Sequence, residues 1–460
     1  MSVRVIVLAA GQGTRMKSTL PKVLHPVAGA PLISWVVDAA AGAAPDEITV
    51  VIGHGADEVA AILPDGVRTA VQEQQNGTGH AVTVALESLG EVNGDTVVVV
   101  PGDTPLLTPA TLSRLIETHM AESPAVTLLT TRMPDPTGYG RVVRDEARRV
   151  VGIVEERDAD DEQRRIDEVA VSTYAFAGED LARALEVVGT GNDQGEMYLT
   201  DVIAILAGEG AAIATVEAPP VEVTGVNSHD QLAEVGRLLR ARMNLQWMRR
   251  GVAMLDPERV YLEATVQLEP GAVLMPDVYL HGNTTVAAGA QVGPSVYAQD
   301  SHIGPQARVW YSVLRSAEVG DAAEVGPFAS LRPGTVLRAG SKAGTFVETK
   351  NTVIGPRSKV PHLSYMGDAT IGEDSNVGAG TITCNYDGFA KHPTVIGDRA
   401  FIGSDTMLVA PVTIGDDAWT AAGSTITRDI APGALGVERA DQKEIPDYAA
   451  RRKAKRRSGE

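Results

Sequence analysis

A glycine-rich segment near the start of the chain combines small residues with positive charge. Residues 8–16 read LAAGQGTRM and follow a short apolar run, and small residues let backbone N–H groups approach phosphate oxygens closely. Arg15 and Lys22 would supply the positive charge that a triphosphate needs. The segment matches neither the G-x-G-x-x-G nor the Walker A motif. Phosphate binding is one interpretation, and a tight turn beside a surface arginine is the other.

Polar residues follow other apolar runs. Asp103 ends VVVVPGD, where its carboxylate could hold Mg²⁺ against phosphates or cap the next helix. Asn227 has the same two possible roles. Gln72, Gly77 and Thr78 lie in a polar turn, QEQQNGTGHA, that could recognise a nucleobase or begin a helix. These residue types together indicate nucleotide chemistry without requiring it.

The second half offers one candidate general base. His362 lies in PHLSYMGD, and an imidazole with a pKa near neutral could take a proton from an attacking amine. A single histidine where the chain turns more often has a structural role. Cys384 is the single cysteine, so an intrachain disulfide is excluded and a reducing cytoplasm is favoured.

The first half alternates short apolar runs with helical patterns. We predict strands over 3–9, 48–52 and 96–100 and helices over 32–41 and 80–89, a pattern typical of an open α/β sheet with parallel strands. Ligands of such sheets lie beyond the carboxyl ends of the strands, which is where the polar segments fall. A helix over 228–250 either joins two domains or packs on the first.

The second half repeats every six residues. Aliphatic or small residues recur in phase, and glycine often follows them. The series comprises Leu262, Leu268, Leu274, Leu280, Val286, Val292 and Ala298, then Val319, Val325, Leu331 and Leu337, then Ile354, Val360 and Met366, then Ile371, Val377 and Thr383, and finally Ile396, Ile402, Leu408, Ile414, Thr420 and Ile426. A six-residue repeat predicts a parallel β-helix in which each hexapeptide forms one side of a coil. The glycines would fit corners that need positive φ or close approach.

Two segments do not follow the repeat. Residues 384–394 (CNYDGFAKHPT) interrupt it and are predicted to form a loop, which is where solenoids tend to carry function. Residues 451–457 (RRKAKRR) are basic. We expect a solvated, disordered tail there, with phosphate contact as the alternative.

Composition limits the possible partners. The chain has 460 residues, is 44% hydrophobic and 22% charged and carries a net charge of −19, so two or three folded domains are expected and nucleic acid or an anionic membrane is a disfavoured partner. Neither a run of 18 apolar residues nor a signal-peptide pattern is present. The prediction is a cytoplasmic protein.

The motifs, taken in order, resemble a known family. LAAGxGTRM, LPKVLH, GTGHA, GD-x-PLL, PTGYGR, GIVE, GE-x-Y-L-TD and GVN are similar to those of sugar-1-phosphate nucleotidyltransferases. With the hexapeptide half, the chain from about Val3 to Arg439 resembles the bacterial bifunctional N-acetylglucosamine-1-phosphate uridyltransferases/glucosamine-1-phosphate acetyltransferases. The resemblance implies an α/β Rossmann-like nucleotidyltransferase domain (1–227), a helical linker (228–251) and a C-terminal left-handed parallel β-helix of hexapeptide repeats with a basic tail (252–460).

For the first domain, the resemblance implies uridyl transfer from UTP to N-acetylglucosamine 1-phosphate, with Arg15 and Lys22 as catalytic residues and Mg²⁺ held by Asp103 and Asn227. The implied nucleotide- and sugar-binding residues are Leu8, Ala9, Ala10, Gly11, Lys22, Gln72, Gly77, Thr78, Pro101, Gly102, Asp103, Gly140, Glu155, Ala170 and Asn227. Ala170 stands where the family's sugar-contacting asparagine is expected, in the usual Asn-Thr-Gly segment, and Pro101 where tyrosine is common. Loss of the amide would cost roughly 1–3 kcal/mol if a buried sugar hydroxyl were left unpaired, unless Ser172 or Thr173 offsets it.

For the second domain, the resemblance implies acetyl transfer from acetyl-CoA to glucosamine 1-phosphate with His362 as the base, which Glu348 could orient. The implied acceptor residues are Arg332, Lys350, Tyr365 and Asn376, and the implied acetyl-CoA residues are Ala379, Asn385, Tyr386, Ser404, Ala422 and Arg439. No acyl-enzyme is required, so Cys384 need not be a nucleophile. A homotrimer is implied as well, with acceptor sites between subunits.

Two rival functions remain at this point. One is a single-function nucleotidyltransferase that uses another sugar phosphate and whose β-helix serves only regulation or trimerisation. The other is a non-catalytic scaffold built on a degenerate nucleotide-binding domain. Consumption of acetyl-CoA separates both rivals from the bifunctional enzyme.

Overall fold

The computed structural model describes residues 2–192 and 195–458. The chain divides into two compact units between Arg242 and Met243. This division falls inside the long helix His229–Arg249, the segment that the sequence predicts as a helix over 228–250.

The first unit is an α/β fold built on one large sheet, with a separate two-stranded sheet beside it in the sequence. Its strands are β1 (Val3–Leu8), β2 (Pro26–Val27), β3 (Ala30–Pro31), β4 (Glu47–Ile52), β5 (Arg68–Val71), β6 (Thr96–Pro101), β7 (Val126–Arg132), β8 (Gly140–Arg144), β9 (Val150–Val154), β10 (Glu168–Ala177) and β11 (Ile213–Glu217). The α-helices that begin in this unit are α1 (Leu32–Gly42), α2 (Ala56–Ala60), α3 (Thr78–Leu89), α4 (Pro109–Glu122), α5 (Gly178–Leu185), α6 (Asp201–Gly208) and α7 (His229–Arg249), and the short 3-10 helices are Thr14–Met16, Lys22–Leu24, Gln163–Arg165 and Pro220–Val223.

The strand order in this sheet is β11-β7-β10-β6-β1-β4-β5. The three predicted strands, β1, β4 and β6, pair in parallel, whereas β10 runs antiparallel to both β6 and β7. The β8–β9 hairpin pairs with the start of β10, so the chain re-enters the sheet from the opposite end. The β-branched strands are buried, and apolar clusters cover both faces of the sheet, as expected when helices lie on both sides.

The second unit is a left-handed parallel β-helix of hexapeptide repeats, as predicted. The strands of its first face are Ala253–Met254, Val273–Leu274, Gln291–Val292, Arg308–Val309, Glu324–Val325, Lys342–Thr345, Lys359–His362, Asn376–Val377, Phe401–Ile402, Trp419–Thr420 and Leu435–Gly436. The strands of its second face are Val260–Leu262, Val278–His281, Val296–Gln299, Val313–Arg315, Ser330–Leu331, Glu348–Lys350, Tyr365–Gly367, Ile382–Cys384, Met407–Val409 and Thr425–Ile426. The strands of its third face are Gln267–Leu268, Thr285–Val286, His302–Ile303, Glu318–Val319, Val336–Leu337, Val353–Ile354, Ala369–Ile371, Thr394–Ile396 and Val412–Ile414. The 3-10 helix Pro257–Arg259 precedes the second face.

The six-residue series forms the core of the β-helix. Every residue of the series is buried, because each inward side chain stacks on its equivalents in the neighbouring coils. The glycines fulfil both predicted roles, which are positive φ and close approach of neighbouring coils. Gly293 has φ 105°, whereas a Cβ on Gly320 would lie 2.7 Å from the carbonyl oxygen of Leu337 in the next coil.

The structure confirms the prediction for one of the two irregular segments and contradicts that for the other. The predicted loop is confirmed between Cys384 and Thr394, where the only regular pairing is a bridge between Tyr386 and Lys391. The prediction of a disordered tail is wrong, because Tyr448–Arg457 forms an exposed helix, α8. Its alanine, lysine and arginine residues are strong helix formers. Within residues 2–192 and 195–458, no helix is long and apolar enough to cross a membrane.

Candidate functional sites

The first site is a cavity of about 990 Å³ beyond the ends of β1 and β6. This position follows the rule that ligands of α/β sheets bind at the carboxyl ends of the strands. Every residue that the sequence predicts for this site lines the cavity except Gly102. Gly102 is buried behind the wall, and its N–H donates to the Leu8 carbonyl at 2.8 Å. Its role is to hold β1 against the turn after β6.

Two cations and two oxygen acceptors meet at one end of the cavity. Lys22 Nζ contacts Asp103 Oδ2 and lies 3.1 Å from Asn227 Oδ1, which also accepts from Arg15 Nη2 at 2.8 Å. The side chain of Thr108, and not that of Asp103, caps α4. Both oxygens therefore point at cations, and they are the ligand types that Mg²⁺ prefers.

These two oxygens fit a divalent cation beside phosphates. Among the residues that the structure describes, no group of three or more His, Cys, Asp or Glu side chains could hold a metal by itself. Mg²⁺ commonly takes one or two protein oxygens and completes its shell with water and substrate phosphates. Asp103 and Asn227 match that pattern, and Lys22 marks where positive charge is favourable.

At another wall of the cavity, Gln72 crosses the turn before α3. Its Nε2 donates to the Gly77 carbonyl at 3.2 Å and lies 2.9 Å from His80 Nδ1. A carbonyl oxygen only accepts, so this contact fixes the amide orientation and leaves Oε1 as the free acceptor. Thr78 Oγ1 accepts from the Leu199 N–H at 3.1 Å. This arrangement suits recognition of an N–H on a planar base.

The third wall carries the predicted sugar residues. Ala170 pairs with Gly140 across β10 and β8, and Thr200 Oγ1 donates to Glu155 Oε1 at 3.1 Å. Burial raises the pKa of Glu155 above its usual range, and the Thr200 hydrogen bond only partly offsets this. A carboxylate held here without a cation is poised to accept hydrogen bonds from sugar hydroxyls.

Sequence reasoning missed three residues of this wall. Tyr139, Tyr174 and Thr200 line the cavity, as does Ser172, which the sequence analysis gives as a possible replacement for the missing asparagine. Burial raises the pKa of Tyr139 and, strongly, that of Tyr174, so both keep their hydroxyl proton. Tyr139 and Thr200 belong to the PTGYGR and GE-x-Y-L-TD motifs, which could have signalled them, whereas no sequence motif marks Tyr174.

The second site is a column on the β-helix. Lys359, Asn376, Phe401 and Trp419 pair in register on successive coils. The residues three positions further on therefore stack at one corner. These are His362, Ala379, Ser404 and Ala422, and we call them the corner column. Arg439 joins it by donating from Nη1 to the Ala422 carbonyl at 2.9 Å. Five residues predicted from distant parts of the sequence thus lie on one line.

A cationic cluster lies on the second face of the β-helix. Arg332 and Lys350 follow residues that pair in register, Leu331 and Thr349, so they occupy equivalent positions on neighbouring coils. Lys391, which the sequence analysis missed, reaches this cluster from the loop, and the nearby Lys350 and Arg332 lower its pKa. Two carboxylates accompany these three cations, Glu348 at 2.8 Å from Arg332 and Asp368 at 3.7 Å from Lys350. One positive charge is therefore in excess, which favours an anionic ligand such as a phosphate monoester.

Glycine leaves a depression beside this cluster. Gly367 is the register partner of Lys350, and a Cβ there would collide with the Tyr365 hydroxyl and lie 2.6 Å from Asn385 Nδ2. Asn385 Nδ2 also donates to Asp368 Oδ2 at 2.6 Å. The predicted sugar residue Tyr365 and the predicted acetyl-CoA residue Asn385 therefore meet at the root of the loop. Asn376 lies on the first face, next to the corner column.

The structure contradicts one suggestion for this region. Glu348 does not orient His362, because its Oε1 accepts from Arg332 Nη1 at 2.8 Å. His362 is exposed, so its imidazole is open to a ligand. Tyr386 is exposed on the loop, where its hydroxyl donates to the Gly388 carbonyl at 2.6 Å.

Comparisons with known proteins agree with this architecture. The family model described as a MobA-like NTP transferase domain matches residues 5–169, and that described as a hexapeptide repeat of succinyl-transferase matches residues 393–428. Proteins named Bifunctional protein GlmU match almost end to end. The one from Streptomyces avermitilis is 50% identical over 98% of this chain and 94% of its own length, that from Heliobacterium modesticaldum 48% identical over 97% and 98%, and that from Brevibacillus brevis 45% identical over 99% and 99%.

The fold and the two sites define a nucleotidyltransferase joined to a hexapeptide-repeat acyltransferase. The chain belongs to the family of the bifunctional protein GlmU. It is an enzyme with a uridyltransferase and an acetyltransferase activity, as the resemblance of its motifs predicts.

Proposed function

We propose that the chain makes UDP-N-acetylglucosamine in two steps. The β-helix transfers the acetyl group of acetyl-CoA to glucosamine 1-phosphate, and the α/β unit then transfers uridylate from UTP to N-acetylglucosamine 1-phosphate and releases pyrophosphate. The observation that carries the proposal is the stacking of His362, Ala379, Ser404 and Ala422 on one corner beside a three-cation cluster. A β-helix that served only assembly would need neither feature.

In the cavity, the residues position and neutralise phosphates. Arg15 and Lys22 would bind the triphosphate, and Gln72 would accept a hydrogen bond from uracil N3–H through Oε1. Asp103 and Asn227 would hold Mg²⁺, which neutralises negative charge on phosphates when it is bound. A sugar phosphate oxygen attacks the α-phosphorus of UTP, the bond to the β-phosphate breaks and pyrophosphate leaves. Such chemistry needs positioning more than a base.

On the β-helix, His362 would remove the proton that the attacking amine loses. The nitrogen of glucosamine 1-phosphate attacks the thioester carbonyl, the C–S bond breaks and coenzyme A leaves as its thiol. Arg332, Lys350 and Lys391 would bind the acceptor phosphate, with Tyr365 and Asn376 on its sugar. Ala379, Ser404, Ala422, Arg439, Asn385 and Tyr386 would bind acetyl-CoA. Cys384 takes no part, and burial raises the pKa of its thiol.

We also propose a homotrimer. Tyr311, Phe328, Phe346 and Leu363 occupy successive coils at the corner that continues to His362; we call them the apolar column. Phe328 and Phe346 are 55% and 56% exposed, and their rings stack at 5.3 Å between centroids. A groove of about 620 Å³ is lined in part by Tyr311 and Phe328 of this column. An exposed apolar strip continuous with a candidate active site favours further copies of this chain as its cover.

The domain limits and location complete the proposal. We place the uridyltransferase domain at 1–227, a helical linker at 228–251 and the acetyltransferase domain at 252–460. A cytoplasmic enzyme is supported by the single cysteine and by acetyl-CoA and UTP as its co-substrates. The small-molecule partners are thus glucosamine 1-phosphate, N-acetylglucosamine 1-phosphate, UTP and acetyl-CoA, with no nucleic acid or membrane.

One reaction tests both activities. Glucosamine 1-phosphate, acetyl-CoA, UTP and Mg²⁺ are incubated with the full chain, and the products are identified by mass spectrometry. We expect UDP-N-acetylglucosamine, and its formation should stop when acetyl-CoA is omitted. N-acetylglucosamine 1-phosphate without nucleotide sugar would overturn the uridyl-transfer assignment for this sugar. The absence of any acetylated sugar would overturn the role of His362 and the β-helix chemistry.

A further inference from the structure

Strand β10 changes register where it passes the sugar wall of the cavity. Ala170 pairs with Thr130 of β7, and Tyr174 pairs with Leu128. Three residues of β10, Val171 to Thr173, therefore lie opposite a single residue of β7. Bulges of this kind re-aim side chains and are common beside active sites.

Ser172 lies at the middle of this bulge with φ 54°. Non-glycine residues in this left-handed region are uncommon, and such strain clusters where a side chain is needed in a particular place. Ser172 is exposed and lines the cavity. A glycine would relieve the strain but would remove the hydroxyl.

The neighbouring residues offer no equivalent group. Ala170 lines the same wall with a methyl group only. Thr173 is 2% exposed, and its Oγ1 donates to the Val171 carbonyl at 3.3 Å, so its hydroxyl serves its own strand. The side chain of Ser172 instead lies near that of Tyr174, which also lines the cavity.

We propose that the Ser172 hydroxyl is a specificity-determining contact to a ring hydroxyl of the sugar 1-phosphate in uridyl transfer. This inference rests on the proposed function and deepens it. Tyr174, Glu155 and Thr200 supply the other polar groups of the wall. The bulge thus places a hydroxyl beside Ala170, which has no polar group of its own, and the buried Thr173 does not.

The test compares three variants of the full chain: Ser172→Ala, Ser172→Gly and, as a matched control, Thr173→Val. Steady-state uridyl transfer is measured with N-acetylglucosamine 1-phosphate and with its monodeoxy analogues, along with the KM for UTP. We expect both Ser172 variants to lower kcat/KM for the sugar phosphate about 10-fold, the effect of one lost hydrogen bond to a neutral group. The KM for UTP should stay within about 2-fold, and Thr173→Val should match the wild type.

The analogue series separates a direct contact from a structural role. One monodeoxy analogue should be a poor substrate for the wild type yet no worse than the parent sugar phosphate for Ser172→Ala, because the hydroxyl that it lacks is the partner of Ser172. Equal losses for every analogue would overturn the proposal. Full activity in Ser172→Gly would also overturn it, because the serine side chain would then add only backbone strain. A loss confined to Thr173→Val would overturn it as well. Failure of the proposed function differs, since the wild type would then not convert N-acetylglucosamine 1-phosphate with UTP at all.

Discussion

The two candidate sites differ in how much of their surroundings one chain provides. The residues proposed for uridyl transfer line a cavity of about 990 Å³ whose walls all come from the α/β unit. The residues proposed for acetyl transfer instead lie on the outside of a solenoid, where His362, Ser404, Ala422 and Arg439 are exposed. One site is enclosed by its own fold, whereas the other is open.

This difference follows from the architecture of each unit. Crossover helices and loops surround the end of an α/β sheet, so a pocket forms there within one domain. The core of a narrow β-helix is filled by its own stacked side chains, so a ligand can bind only on its surface. Exclusion of water from such a surface requires another wall, which is why we propose that a neighbouring copy supplies it.

The sharpest test of two independent sites is a reciprocal loss of activity. Replacement His362→Ala removes the proposed base and should lower acetyl transfer about 10²- to 10⁴-fold. Uridyl transfer from supplied N-acetylglucosamine 1-phosphate should remain. Asp103→Ala should give the opposite pattern, and each rate is followed by a separate product assay. Loss of both activities in either variant would contradict the independence of the sites.

Removal of the apolar column tests whether only the open site needs a second copy. The double variant Phe328→Lys/Phe346→Lys places charges on the strip and should dissociate the assembly. We expect acetyl transfer to fall more than about 10-fold, since buried aromatic anchors dominate interfaces, while uridyl transfer persists. Light scattering coupled to size exclusion measures the mass. Val187→Lys, at an exposed position of the α/β unit, is the control, and a trimer that survives the double variant would rule out this strip as the interface.

The contribution of Lys391 sharpens the description of the open site. Lys391→Gln removes one cation from the cluster with Arg332 and Lys350 and should raise the KM for glucosamine 1-phosphate about 10-fold, the usual effect of one charged hydrogen bond. The KM for acetyl-CoA should change little. Lys359→Gln is the control, since Lys359 is exposed on the first face of the β-helix. Equal effects in both variants would indicate general electrostatics and not a phosphate contact.

The smallest expected effect concerns the loop between residues 384 and 394. N–H groups of Ala390 and Phe389 and the imidazole of His392 hold the pKa of Asp387 well below its ordinary value. A lowered carboxyl pKa stabilises the loop at neutral pH, and this stabilisation is lost as pH falls below about 4. Hydrogen exchange of a peptide covering 385–393 should show protection, corrected for intrinsic rates, that declines below that pH.

The Asp387→Ala variant separates this titration from general acid unfolding. Its loop should be poorly protected at every pH, with no further change near pH 4. If the wild type and the variant lose protection in parallel, the Asp387 carboxylate does not hold the loop.

The corner column shows how far a sequence period can predict a site. The six-residue phase determines which residues face inward and, through parallel pairing, which outward residues stack, so His362 and Ala422 could be placed together without coordinates. The same phase says nothing about Lys391, because the loop leaves the repeat. It also could not predict the partner of Glu348, where an exposed arginine competes with the histidine.

The α/β unit was predictable at its strand ends and not at its bulge. Buried β-branched runs predict β1 and β6, so the positions of Gly11 and Asp103 follow from the rule for such sheets. The antiparallel direction of β10 depends on its pairing with β6 and β7, which joins residues far apart in sequence, such as Tyr174 and Val99. The bulge at Ser172 breaks the alternation that a strand pattern assumes, so only coordinates distinguish Ser172 from Thr173.

The corner column also has a fixed length. Neighbouring strands of a sheet lie about 4.8 Å apart, so the three steps from His362 to Ala422 span about 14 Å. Backbone hydrogen bonds fix that length, and no side-chain movement alters it. Under the proposed function, a thioester donor that lies along the corner would have to span this fixed length for its acetyl carbon to reach His362. A donor with a shorter arm would then fall short of His362.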